Sequence, residues 1–84
     1  MNNNWREGTL RIPTDEGGYV DFHYEVKHFK GPSKFGIEGG RISKIFIRET
    51  KSGEIVCNYD RGWDIVPEGK ESYKAYYVLK TEYN

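Results

Sequence analysis

Lys34, Gly36, Gly39, Gly40, Arg41 and Lys44 fall within one short stretch of the chain. Glycine amides ringed by cations are one way a protein cradles a phosphate. The stretch lacks the G-x-x-x-x-G-K-[ST] spacing of a P-loop, and no helix begins where it ends. A glycine-rich strand connection that needs positive φ accounts for the same residues. A second stretch, Asp60-Arg61-Gly62-Trp63-Asp64, places a guanidinium, an indole and two carboxylates at the end of a strand. There Trp63 can stack on a base or sugar while Arg61 reads a phosphate or carboxylate. The competing reading makes Trp63 a plug for one end of a small core, Asp60 a cap for its own turn and Arg61 half of an ion pair. Together these stretches give a ligand-binding set of Lys34, Gly39, Gly40, Arg41, Lys44, Arg61 and Trp63, with a phosphorylated small molecule as the ligand.

Histidine raises the question of acid–base chemistry. His23 has Asp21 and Glu25 two residues to either side, hence on the same face of a strand, where carboxylates can orient an imidazole. No nucleophile with an adjacent base is visible, because Cys57 and the serines lack a recognisable context. The carboxylates show no metal-ligand spacing along the chain. No catalytic residue, metal or cofactor is therefore expected, and a chain of 84 residues is short for enclosing a deep pocket.

The elements that must position these residues follow from patterning. Tyr19 to Phe29 alternates so regularly that Val20, Phe22, Tyr24 and Val26 share one face, opposite Asp21, His23, Glu25 and Lys27. This is a half-buried strand of an antiparallel sheet. Gly8 to Ile12 is a shorter strand, ended by Pro13, and Thr14 to Gly18 is turn chemistry that joins the two as a hairpin. Asn2 to Asn4 are expected to fray. Lys30 to Gly40 reads as a long loop with a short extended piece at Phe35 to Ile37. Arg41 to Thr50 is a third strand whose Ile42, Ile45, Phe46 and Ile47 put apolar groups on both faces, so it is expected to be covered on both sides, by a partner subunit, a loop or an end of the helix. Lys51 to Gly53 turns the chain into a fourth strand, Glu54 to Tyr59, and Asp60 to Gly62 leads it out.

From about residue 68 or 70, Ser72, Ala75, Tyr76, Leu79 and Tyr83 form one helical stripe. The tyrosines of Tyr73 to Lys80 would also suit a strand, and Gly69 disfavours a helix interior. The expected fold is α+β, a four-stranded antiparallel meander with one C-terminal helix on one face (β-β-β-β-α), in a single domain.

Seven tyrosines, four phenylalanines and two tryptophans lead to the expectation of a small, aromatic core. The lone cysteine excludes an intramolecular disulfide and suits a reducing, cytoplasmic setting. No apolar run approaches the ~20 residues of a membrane span, and no export signal opens the sequence. Charge sums to zero but is uneven, with seven basic against two acidic residues between 27 and 51 and an acidic excess on either side. That basic middle is either an anion-facing surface or a solvated face.

Phe35 to Lys44, Asn58 to Ile65 and the closing Glu-Tyr-Asn resemble a family of small uncharacterised proteins, a domain of unknown function found in Gram-positive bacteria and their phages. The resemblance brings no catalytic residues. It implies a phage or mobile-element setting, in which small proteins bind host factors or signalling nucleotides. The expected function is a non-enzymatic binding protein, an accessory of the anti-defence type that inhibits a host protein or sequesters a nucleotide-type ligand. Two alternatives stand beside it: a nucleic-acid binder that uses residues 27 to 51, and a homodimeric interaction module paired through the third strand.

Overall fold

The computed structural model describes residues 4–84. It contains β1 (Asn4–Pro13), β2 (Tyr19–His28), one 3-10 turn (Ile37–Gly39), β3 (Ile42–Glu49), β4 (Ile55–Asp60), β5 (Trp63–Ile65) and α1 (Lys70–Tyr83). The strands form one antiparallel meander in the order β1-β2-β3-β4-β5, and α1 lies across one face. The α+β class, the antiparallel pairing and the single C-terminal helix match the sequence reading. The strand count does not: the described residues form five strands, not four. Trp63-Asp64-Ile65 is too short for alternation to reveal, and a tight turn folds it back onto β4.

Two other boundaries move. β1 runs back to Asn4, which pairs with His28 instead of fraying, while Asn2 and Asn3 lie outside the described residues. Phe35 to Ile37 is not extended; the chain turns there and enters the 3-10 turn.

The core is the layer between sheet and helix. Phe22 and Val26 of β2, Ile45 and Ile47 of β3, and Cys57 and Tyr59 of β4 cluster with Ala75, Tyr76 and Leu79 of α1. The helical stripe is therefore the one the sequence spacing marks, with Ser72 and Tyr83 half-buried at its edges. Loop and helix end hold each other: Lys80 Nζ lies 2.8 Å from Glu38 Oε1, and the Asn84 side chain bonds to both Ile37 and Ile42.

The two-faced pattern of β3 resolves through a bulge. Lys44 pairs with Lys27, but the next pair is Ile42 with His28, so Ser43 is the extra residue. The slip turns Ile42 to the helix side, where it is fully buried. Phe46 alone remains on the other face, half-buried, and β3 needs no second layer.

Burial also settles the state of the cysteine. Desolvation pushes the Cys57 thiol up to about 12, so it is protonated at neutral pH and inaccessible. Native protein at pH 8 is expected to resist a thiol-labelling disulfide reagent that modifies the urea-unfolded chain at once. Rapid native labelling would show that α1 does not cover β4.

Candidate functional site

The face of the sheet opposite α1 carries the polar halves of the strands. Trp5, Lys27, Lys44 and Asp60 stand in one row across β1, β2, β3 and β4. The bulge at Ser43 and the turn at Arg61 open a cleft of about 400 Å³ at the end of this row. It is lined by Trp5, Lys27, Phe29, Ser43, Lys44, Asp60 and Arg61. Three cations face one carboxylate there, and Lys44 Nζ sits 5.9 Å from the centre of the Trp5 ring. Lys27 and Lys44 are direct cross-strand partners, a like-charge pairing that disfavours the sheet.

The cleft floor is tied together by backbone. Ser43 Oγ donates to the Lys27 carbonyl at 3.1 Å, and the Ser43 carbonyl accepts from the Arg61 N–H at 3.0 Å. Arg61 itself has φ of 58°, in the left-handed region. The turn is closed by the Asp60 N–H donating to the Gly62 carbonyl at 2.9 Å.

The sequence-derived set divides on this geometry. Lys44 and Arg61 share the cleft. Trp63 lies on the helix side, edge-on to Tyr59 and Tyr76, and so reads as a partly exposed core plug. Lys34 sits over the ring of its neighbour Phe35, and Arg41 contributes a carbonyl to the Phe29 N–H. The glycine loop is not a phosphate cradle. Gly36, Gly39 and Gly40 donate their N–H groups to the carbonyls of Ser33, Gly36 and Ile37, so none of the three is free for an anion. Gly39 takes φ of 73°, and the backbone of Gly40 packs directly under the Asn84 amide.

The family model described as Domain of unknown function (DUF7678) matches residues 4–84. The chain belongs to that family. The DUF7678 match takes in every strand and the helix, so cleft and fold lie wholly inside it. No curated protein and no solved structure matches the chain.

Trp5, Lys27, Phe29, Ser43 and Asp60 line the cleft but were not in the sequence-derived set. Lys27 is the last outward residue of the β2 alternation, and Trp5 reaches it only because β1 begins at Asn4. Farther along the same face, His23 Nε2 lies 3.1 Å from Glu7 Oε2 and 3.8 Å from Glu25 Oε2. Asp21, the other expected neighbour of His23, instead takes a two-point bond from Arg11 at 2.9 and 3.2 Å. That guanidinium holds the Asp21 carboxyl below its usual range.

Proposed function

We propose that the protein is a non-enzymatic binding module for a phosphorylated small molecule bearing a planar ring, a nucleotide-type ligand, held in the cleft between Trp5 and Arg61. The observation that carries this reading is Arg61. A non-glycine residue in the left-handed region costs about 1–2 kcal/mol, and glycine would close the same turn without that penalty. What arginine adds is a guanidinium at the rim of the cleft that Trp5, Lys27 and Lys44 also line, its Nε 3.8 Å from Asp60 Oδ1, an exposed pairing loose enough for an incoming anion to compete with. Strain of this kind concentrates where a side chain is needed. Trp5 supplies a stacking surface, and the opposed lysines gain from an anion placed between them. Sequestering such a ligand, or blocking a host protein through the same cleft, is the role this gives a phage or mobile-element accessory.

The test begins with protein purified from bacterial cells, by native mass spectrometry and the 260/280 nm absorbance ratio, followed by calorimetric titration with nucleoside mono- and diphosphates. Lys44→Ala is expected to weaken binding without unfolding the domain. Arg61→Gly is the sharper variant. It is expected to weaken binding while leaving stability unchanged or slightly higher, because relief of about 1 kcal/mol of backbone strain offsets the glycine's extra freedom when unfolded. An Arg61→Gly protein that binds as tightly as the parent would remove the basis for the reading. Tighter binding of a single-stranded oligonucleotide, falling steeply with salt, would point to nucleic acid instead.

A further inference from the structure

Glu7, His23 and Glu25 bring three metal-ligating atoms within 4.8 Å of one another on the open sheet face. We propose that they form a binding site for a divalent transition-metal ion of the zinc type. Glu7 and Glu25 are direct cross-strand partners, so two like charges are held opposite each other. His23, two residues along β2, directs one nitrogen, Nε2, toward both carboxylates.

Donors at about 2.0–2.2 Å from a tetrahedral or octahedral ion lie roughly 2.8–3.6 Å apart. The two distances from His23 Nε2, 3.1 and 3.8 Å, sit near that range, and with all three donor atoms within 4.8 Å of one another side-chain rotation can close them around one ion. One imidazole and two carboxylates suit zinc and its first-row neighbours, and three protein ligands leave coordination positions for water or an incoming group. Sequence spacing could not show this set, because Glu7 joins it only through the β1–β2 register. Among the described residues, His23 is the one cation-capable group paired with either carboxylate. The competing state is an imidazolium bridging both carboxylates with no metal.

Zinc chloride would be titrated into the full chain by calorimetry at pH 7.5 in a non-chelating buffer. One ion per chain is expected, with loss of the isotherm in His23→Gln and at least about tenfold weaker binding in Glu7→Gln, equivalent to about 1.4 kcal/mol. Asp21→Asn, whose carboxylate is held by Arg11, should bind as the parent does. Nitrogen NMR of the imidazoles should show zinc moving the Nε2 resonance of His23. The proposal is overturned if no isotherm appears, if binding survives in His23→Gln, or if the His23 Nε2 resonance does not respond.

Discussion

Leu79→Ala is expected to lower the unfolding free energy by about 3 kcal/mol, within the range for truncating a fully buried leucine. Leu79 is 1% exposed at the centre of the α1 stripe, against a sheet face that, among the described residues, has no other helix over it. A domain of this length holds only some 4–12 kcal/mol in total, so this one truncation removes a large share. Thermal unfolding should fall by more than about 12 °C, at the 4–8 °C per kcal/mol usual for small domains. Tyr77→Ala is the matched comparison, since Tyr77 is 55% exposed on the same helix. Its effect should stay near half a kcal/mol, as for most surface changes. Circular dichroism melts of the two variants would decide the point. Equal effects would mean that α1 does not cover the sheet.

What was legible beforehand follows a physical line. β2 and α1 announce themselves because each repeats its period long enough to accumulate signal: five alternations in one, three turns in the other. Their burial follows the same residues, from Val20, Phe22 and Val26 to Ala75, Tyr76 and Leu79. β5 escaped because three residues carry no period. β3 misled for another reason. Its alternation breaks at Ser43, and an inserted residue looks in sequence like a strand apolar on both sides. The bulge becomes visible only once the partner register is known.

The cleft was half-legible on the same grounds. Lys44 and Arg61 stood out as cations beside turn residues, but they meet through β3–β4 pairing and the turn after β4. Trp5 and Lys27 arrive from two further strands. The glycine loop attracted attention through composition alone. Its three glycine amides turn out to be satisfied within the loop itself. Chemistry assembled by sheet register is invisible to local spacing, and both the cleft and the Glu7–His23–Glu25 cluster are of that kind.

Asn84→Ala should be the other strongly damaging change, although no periodicity points to it. The Asn84 side chain reaches back across the molecule. Its Oδ1 accepts from the Ile42 N–H at 2.9 Å, and its Nδ2 donates to the Ile37 carbonyl at 3.0 Å. One amide thus closes the 3-10 turn and the start of β3 together. Gly40 makes room for it, since a Cβ there would lie 2.4 Å from Nδ2. Alanine leaves a donor and an acceptor in a partly buried place, each worth about 1–3 kcal/mol when unsatisfied. Water can reach part of this site, so a total near 2 kcal/mol is expected. Asn84→Asp separates the two bonds: the carboxylate still accepts from Ile42 but can no longer donate to Ile37, so it should recover only the first. Amide hydrogen exchange gives the local readout. In Asn84→Ala the Ile42 amide should lose protection well before the β2 amides do, because the loop opens while the sheet holds. Unchanged protection at Ile42 would show that the bulged start of β3 is held by the strand ladder alone and not by the Asn84 amide.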